Sequence, residues 1–237
     1  MSVTSAVAVA RAEAEAVAAT DARARFEVGV GLCLGPGSGA EDELNRQLAA
    51  AGVRLAAPVV VAEEPGDMLR AVLEGVLRSV PVGERERVPV VLAAAEACAH
   101  AATRYAVRWT DTARRLRPSD SVALETSELV RGLGGELGWC GPLYLLVAPG
   151  VAGPQALLTA AALARGGRPA VVAELIPAPG GRTRPAPVRR GQAVPGVPEP
   201  EWLAVAALWP ADLAPVPPLA VAAGLPGVLL PLAGVVR

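Results

Sequence analysis

The sequence predicts an α/β protein with a mixed, mostly parallel β-sheet covered by helices. Short apolar runs rich in valine, leucine and alanine recur along the chain, and each fits a buried strand. Segments with apolar residues at helical spacing alternate with these runs. Glycines and prolines, 25 and 23 of the 237 residues, separate the two kinds of segment. With 3% aromatic residues, the core is expected to consist mainly of alanine, valine and leucine.

The first quarter of the chain is predicted to hold a strand and a helix after an appendage. Residues 1–25 are interpreted as a helical N-terminal appendage with weak periodicity. From Phe26 the run FEVGVGLCLG is β-rich and ends in the turn PGSG. A helix, AEDELNRQLAAAG, follows, and the carboxylates at 41–43 complement the dipole of its first turn. Gly52 ends it.

The middle of the chain is predicted to hold two strands and two helices. The extended piece PVVVA leads to a helix that starts at about Pro65. Five apolar side chains recur there at helical spacing: Met68, Leu69, Val72, Val76 and Leu77. The segment PVGERER is interpreted as a charged loop before the strand VPVVLAAA. A polar helix from about His100 to Leu116 follows.

The second half is predicted to contain one strand–turn–helix–loop–strand unit, between Gly141 and Leu175. A short helix, SELVRGLGGELG, precedes this unit. Residues 177–200 are too rich in Pro, Gly and Arg to pack as regular structure. A last β-like run, EWLAVAALW, follows, and residues 211–237 form a Pro-rich apolar tail.

Composition and charge exclude several classes of protein. A formal net charge of −1 gives no electrostatic footprint for nucleic acid. Apolar runs are broken by Pro or Gly before the roughly 20 residues of a spanning helix, and the N-terminus lacks the features of a secretion signal. We therefore expect a cytoplasmic protein without a membrane contact. Cys33, Cys98 and Cys140 are widely spaced, which argues against disulfides and a zinc site, and no cofactor is expected.

The order of these segments resembles the N-terminal half of β-ketoacyl synthases, the ketosynthases of fatty-acid and polyketide assembly. The run FEVGVGLCLGPGSGAEDELNRQLAAAG is similar to their first strand, Gly-rich turn and helix. GERERVPVVLAAA resembles the strand after the second helix, and LVRGLGGELGWCGP resembles the helix and turn before the nucleophile strand. GGRPAVVAEL and EWLAVAALW fit the two strands that follow the nucleophile helix. The resemblance covers about residues 26–210 and implies one half of a thiolase-like fold.

The same resemblance implies that the reactive residue of a condensing enzyme is replaced. In ketosynthases a cysteine stands at the start of the helix after the Gly-Pro strand, where the helix dipole lowers its pKa. Counting from Pro142, this position is Gly150, between Pro149 and Val151. The family also uses histidines, and usually a lysine, to bind the thioester carbonyl. This chain has no lysine and one histidine, His100, so we expect no condensing activity.

Ketosynthase-like subunits without the cysteine, the chain-length factors, shape the cavity of a catalytic partner. We therefore expect a non-catalytic accessory or cavity-shaping subunit in polyketide or fatty-acid biosynthesis. The sequence departs from chain-length factors because only a Pro-rich tail follows Pro210. The predicted helix around Gln155 to Arg165 is apolar, which favours a homodimer, or a heterodimer with a full-length ketosynthase. The pocket or interface is expected to include Pro149, Gly150, Val151 and Gln155.

The predicted loop at 177–200 is basic in an otherwise neutral chain, through Arg182, Arg184, Arg189 and Arg190. Acyl carrier proteins are acidic, so these four arginines are candidates for carrier docking. A solvated loop without a partner is the alternative interpretation.

Two other functions stay open, and the first is nucleotide binding. The run GPGSGA, residues 35–40, fits G-x-G-x-x-A between a strand and a helix, and Glu63 and Glu64 follow at the Rossmann spacing. Pro36 removes an N–H from this loop, however, and the carboxylates at 41–43 would repel a pyrophosphate.

The second is an enzyme with a reassigned pocket, acting on an acyl or polyketide intermediate as a cyclase, dehydratase or hydrolase. Its carboxylate candidates are Asp111, Asp120, Glu125 and Glu128, none of them in a recognisable motif. Cys140 is a candidate for a displaced nucleophile, or a small filler in a turn. Cys98 and His100 lie two residues apart on a helix and face different sides, so no dyad is expected.

Overall fold

The computed structural model describes residues 27–33, 46, 59–111, 115–116, 118–122, 124–148, 152–178, 200–209 and 211. The strands are β1 (Glu27–Cys33), β2 (Val60–Val61), β3 (Val90–Ala93), β4 (Leu143–Leu146), β5 (Ala170–Pro177) and β6 (Trp202–Trp209). The helices are α1 (Pro65–Arg78), α2 (Val82–Arg85), α3 (Ala95–Thr110), α4 (Pro118–Val122), α5 (Leu133–Leu137) and α6 (Ala152–Ala164), with a 3₁₀ helix at Thr126–Val130.

The strands form one six-stranded sheet in the order β2-β1-β6-β5-β3-β4. β1 is parallel to β2, and β3 is parallel to both β4 and β5. β6 is antiparallel to both of its neighbours, β1 and β5. Five strands therefore run in one direction and β6 in the other. This confirms the predicted α/β class and mixed, mostly parallel sheet for the described residues, whereas the thiolase-like assignment stays a prediction.

The central strands β3, β5 and β6 are buried on both faces of the sheet, and each face carries its own apolar cluster. On one face α6 packs over β3 and β5, and its cluster includes Val91, Ala93, Ala156, Leu157, Ala160, Val172, Val205 and Trp209. On the other face α1 packs over β1 and β6, and its cluster includes Met68, Leu69, Leu73, Leu77, Val90, Leu92, Val171 and Ala204. Successive residues of β3 belong to opposite clusters, as the two-residue repeat of a strand requires. Burial on both sides explains why the sequences of these central strands are continuous apolar runs.

Helix α1 forms where the spacing of its apolar residues predicts it. Pro65 occupies the first turn, where its missing N–H costs nothing, and Asp67 in the same turn complements the helix dipole. The buried side places Met68, Leu69, Val72, Leu73, Val76 and Leu77 in the core. Local periodicity and burial agree here, so the prediction is confirmed.

The segment predicted as a charged loop contains α2, whose last residue closes the end of α1. The Arg85 guanidinium donates hydrogen bonds to the carbonyls of Leu77 at 2.9 Å, Arg78 at 3.1 Å and Val80 at 3.1 Å. The last carbonyls of a helix have no partner within it, so a positive group that binds them also complements the dipole. Arg85 therefore joins α2 to the carboxyl end of α1.

Arg85→Ala is expected to lower the free energy of unfolding by about 2 kcal/mol, because it leaves half-buried carbonyls without their charged donor. Arg85→Lys should recover part of this loss, since an ammonium keeps the charge but not the fork of donors. Chemical denaturation of both variants checks the order wild type, Lys, Ala. Equal stability of Arg85→Ala and the wild type would show that water replaces the guanidinium at no cost.

Two predicted helices begin and end at other residues than expected. α3 begins at Ala95, directly after β3, and ends at Thr110, before Asp111. The short helix predicted before the Gly-Pro strand is split into the 3₁₀ helix and α5. Gly132, with φ 85°, makes the turn between them.

Other predictions concern parts of the chain outside the described residues. These are the appendage at 1–25, most of the loop at 177–200, and the tail after residue 211. The Gly-rich turn at 35–40 and the helix after it lie outside as well, apart from the helical Arg46. Among the described helices, none combines the length and apolar character that crossing a membrane requires.

Candidate functional site

The carboxyl ends of β3, β4 and β5 meet at one edge of the sheet, together with the beginning of the antiparallel β6. In open α/β sheets, ligands bind in the crevice at this edge. The connection from β4 to α6, residues 147–151, starts here. It contains the position at which the ketosynthase resemblance expects the nucleophile, so this edge is the candidate functional site.

The predicted pocket residues fall only in part within the described structure. Pro149, Gly150 and Val151 lie outside the described residues. Gln155 lies in the second turn of α6 and is exposed, and its backbone carbonyl accepts a hydrogen bond from the Thr159 hydroxyl at 2.8 Å. The structure thus places Gln155 on the solvent side of α6.

Helix α6 has a buried side against the sheet and an outer side that is also largely apolar. The buried residues are Ala152, Gly153, Ala156, Leu157, Ala160, Ala161 and Ala164. Small side chains let the helix lie close to the strands beneath it. On the outer side Leu158 has 55% of its surface exposed, and Ala162 is exposed as well.

A buried carboxylate lies on the α6 face of the sheet. Glu174 of β5 is 7% exposed, pairs with Ala93 of β3 and Val205 of β6, and alternates with residues of the α1 face. Ala93 pairs with Leu146, the last residue of β4, so Glu174 shares a row of the sheet with the strand that leads to Gly150. The sequence analysis missed Glu174. The signal available was a single charge within the apolar run AVVAELIP.

Two more polar side chains lie at this edge. Glu201, directly before β6, is 3% exposed, and its backbone carbonyl accepts a hydrogen bond from the Ala178 N–H at 2.7 Å. The half-buried His100 on α3 packs edge-on against Trp202, with ring centroids 5.6 Å apart. An imidazole and carboxylates are the usual groups of acid–base catalysis.

The two buried carboxylates do not form a pair. Glu174 lies opposite Val205, four residues along from Glu201, which corresponds to roughly 13 Å at the rise of a strand. Each of them, like His100, has an interaction partner within the fold. The arrangement therefore differs from the adjacent carboxylates of a dyad that shares one proton.

Neither Cys98 nor Cys140 supplies a nucleophile at this edge. Cys98 on α3 is half-buried, and burial raises the pKa of its thiol, which disfavours the reactive thiolate. Cys140 lies before the amino end of β4, where its N–H donates to the Glu86 carbonyl at 3.3 Å and its Sγ lies 3.5 Å from the same oxygen. The four residues of β4 alone separate it from the 147–151 connection by roughly 13 Å. Cys33, the last residue of β1, pairs with Trp202 and so does lie at this edge, but its side chain is outside the described residues.

Of the carboxylates proposed for a reassigned pocket, Asp111 lies on a different element from Glu125 and Glu128. Asp111 follows the last turn of α3, and Glu125 precedes the 3₁₀ helix. Glu128 forms an ion pair with Arg131, three residues along the chain. The side chain of Asp120 lies outside the described residues. Across the described part of the chain, no group of three or more His, Cys, Asp or Glu is placed to hold a metal ion.

The sheet differs from that of the Rossmann alternative. The loop at 35–40 lies outside the described residues, but β1, which precedes it, has the antiparallel β6 as one neighbour. A Rossmann crevice opens beside parallel strands whose connections leave in opposite directions. Glu64 precedes α1, and its backbone carbonyl accepts a hydrogen bond from the Met68 N–H at 3.0 Å.

The proposed carrier-docking arginines, Arg182, Arg184, Arg189 and Arg190, lie outside the described residues. Comparisons of the chain with protein-family models, with curated proteins and with solved structures gave no match.

Proposed function

We propose that this chain is a non-catalytic ketosynthase-like protein in polyketide or fatty-acid biosynthesis, which acts as an accessory or cavity-shaping subunit. The observation that carries the proposal is the unit formed by β4, the 147–151 connection, α6 and β5. The connection leaves the carboxyl end of a strand, and a 13-residue helix with a buried side follows it. In a ketosynthase the nucleophile stands at such a helix start, and the sequence resemblance assigns this position to Gly150 of the connection.

The positions of Cys98 and Cys140 support the non-catalytic part of the proposal. Cys140 is tied to the Glu86 carbonyl at the opposite edge of the sheet, so it cannot replace the missing thiol at Gly150 without refolding of β4. Cys98 lies on α3, where burial raises its pKa. Neither thiol therefore meets the requirement of a low-pKa nucleophile at a helix start.

The exposed apolar side chains near α6 and β4 support a partner. β4 is an edge strand, with β3 as its one neighbour in the described sheet. Tyr144 and Val147, 40% and 48% exposed, lie on or directly after this strand, and Leu158 is exposed on α6. Strand edges and exposed apolar groups are common features of surfaces that another chain covers. A second copy or a full-length ketosynthase is the proposed partner.

The proposal is tested by native mass spectrometry and pull-down with the ketosynthases and acyl carrier proteins encoded beside this chain. We expect a stable complex with a ketosynthase, and no acyl adduct on this chain after incubation with an acyl thioester. A catalytically active ketosynthase serves as the positive control for acylation. A covalent acyl-enzyme formed by the wild-type chain alone would contradict the non-catalytic assignment.

Restoring a thiol at the degenerate position tests whether Gly150 corresponds to the nucleophile. We expect the new thiol in Gly150→Cys to react with iodoacetamide about tenfold faster, near pH 6.5, than that in Ala162→Cys, because a helix start lowers the thiol pKa. Ala162 lies on the exposed side of the same helix and is the matched control. Peptide mass spectrometry separates both sites from the native cysteines. Equal reaction rates at the two positions would contradict the proposal that Gly150 corresponds to the nucleophile position.

An enzyme with a reassigned pocket is the second candidate, favoured by the buried carboxylates and His100 at the same edge. Its test is release of free thiol from acyl-pantetheine thioesters by the wild-type chain, compared with Glu201→Gln and His100→Asn. Turnover that both substitutions abolish would favour this enzyme over the accessory subunit. Absence of turnover in the wild type would count against it as a hydrolase.

A further inference from the structure

A groove lies at the opposite edge of the sheet, where β3 and β5 begin. Its volume is about 300 Å³, and it is lined by Gly83, Glu84, Arg87, Val88, Gly167, Arg168 and Pro169. One wall is α2 with the turn before β3, and the other is the turn between α6 and β5. The two strands are parallel neighbours, with Val90 opposite Val171, which keeps the two walls side by side. The groove is therefore fixed by the sheet and is distinct from the candidate site at the carboxyl edge.

Each wall contributes one arginine. Arg87 and Arg168 are both exposed, and neither guanidinium has a hydrogen bond or ion pair within the part of the chain that the structure describes. Most other arginines nearby have partners, such as Arg85 with the end of α1 and Arg78 with Glu74. Neither arginine is ion-paired with Glu84, the one carboxylate of the lining, and two positive side chains against one negative leave the groove with a net positive charge that favours an anion.

The remaining lining narrows the kind of anion. The buried Val88 and the half-buried Pro169 supply apolar surface, and Gly83 and Gly167 keep the walls free of side chains. Gly167 has φ 80°, a left-handed conformation that favours glycine, so this open wall is a consequence of the turn. Glu84 adds one carboxylate, an acceptor for a hydroxyl beside the anionic group.

We propose that this groove binds the phosphate group of a small phosphorylated ligand, held between Arg87 and Arg168, with a ligand hydroxyl directed to Glu84. Guanidinium groups bind phosphate oxygens through paired hydrogen bonds, which a lone ammonium cannot form. A volume of about 300 Å³ lies at the small end of ligand pockets, which suits a phosphomonoester of few carbon atoms. The proposal is independent of the accessory function.

The test is titration of the ¹⁵N-labelled full chain with inorganic phosphate and with glycerol 3-phosphate, with the ionic strength held constant by sodium chloride. We expect both probes to shift the amide resonances of Gly83 and Gly167, and glycerol 3-phosphate to bind about threefold tighter because its hydroxyls reach Glu84. Unchanged glycine resonances at about 50 mM of either probe would overturn the proposal. Weaker binding of glycerol 3-phosphate than of inorganic phosphate would overturn the proposal that the ligand is a phosphomonoester.

Charge-matched variants separate a built site from general attraction to a positive surface. Arg87→Gln with Arg168→Gln is expected to weaken phosphate binding by about tenfold or more. Arg115→Gln with Arg165→Gln removes the same charge from two exposed arginines that do not line the groove, and should change binding less than twofold. Glu84→Gln should tighten binding of inorganic phosphate, since it removes a repelling carboxylate. Equal losses in the two double variants would overturn the proposal, and amide spectra confirm that each variant is folded.

Discussion

Gly141→Ala is expected to lower the free energy of unfolding by about 3 kcal/mol, a loss in the upper range for overpacking. A Cβ at Gly141 would lie 2.7 Å from the indole nitrogen of Trp139 and closer still to the carbonyl oxygen of Val88. These two atoms already form a hydrogen bond, with Trp139 Nε1 donating to Val88 O at 2.8 Å. The new methyl group therefore meets backbone and a bonded indole, neither of which can move without breaking this contact.

The substitution at Gly141 is also expected to weaken the pairing of β3 with β4. The neighbouring Pro142 accepts a hydrogen bond from the Val90 N–H at 3.0 Å, which starts the pairing of β3 with β4. A shift of the segment before β4 would therefore weaken the strand that leads to Gly150. We expect a fall in Tm of roughly 6–12 °C, measured by circular dichroism.

Gly135→Ala is the matched control, because a Cβ there meets nothing within 4 Å. Gly135 is exposed in α5, where alanine is the better helix former, so this variant should be as stable as the wild type or slightly more so. If Gly141→Ala and Gly135→Ala had the same Tm, the close approach at Gly141 would not be a feature of the folded protein.

Leu133→Ala is expected to cost about 3 kcal/mol, through lost apolar burial and the cavity left behind. Leu133 is 0% exposed and belongs to the cluster beneath α1. Its segment is also held by Arg70 of α1, whose guanidinium donates to the Arg131 carbonyl at 3.3 Å. Among the described side chains of residues 124–138, Leu133 is the one that is fully buried, so it supplies much of the attachment of this segment to α1.

Leu124→Ala is the comparison for Leu133, since it removes the same atoms from a leucine that is 39% exposed in the same part of the chain. Its expected cost is about 0.5 kcal/mol. Urea unfolding of both variants measures the two losses in free energy of unfolding, analysed with the same dependence on urea concentration. A loss at Leu133 no larger than at Leu124 would mean that the segment contributes little to the folded core.

Sequence analysis predicted those strands and helices whose apolar residues recur with the spacing of the side that is buried in the fold. The spacing of Met68, Leu69 and Val72 predicted α1, and the apolar runs predicted β5 and β6. Each of these signals depends only on residues within a single helix or strand. The α2 helix was missed, because its last residue, Arg85, is held by hydrogen bonds to carbonyls of α1, which lie outside the α2 segment. Local sequence cannot report a donor's partner when that partner belongs to another helix.

Sequence alone determined the alternation of strands and helices and the absence of a cysteine at Gly150, since both depend on residues close together in the chain. Only the tertiary structure decided the neighbours in the sheet, because pairing joins residues far apart in sequence, such as Val30 with Val205. That pairing brings Glu174 into the row beside Ala93 and puts Cys140 at the opposite edge from the 147–151 connection. It also aligns the two turns that carry Arg87 and Arg168. These juxtapositions follow from hydrogen bonding between strands, which no local periodicity specifies.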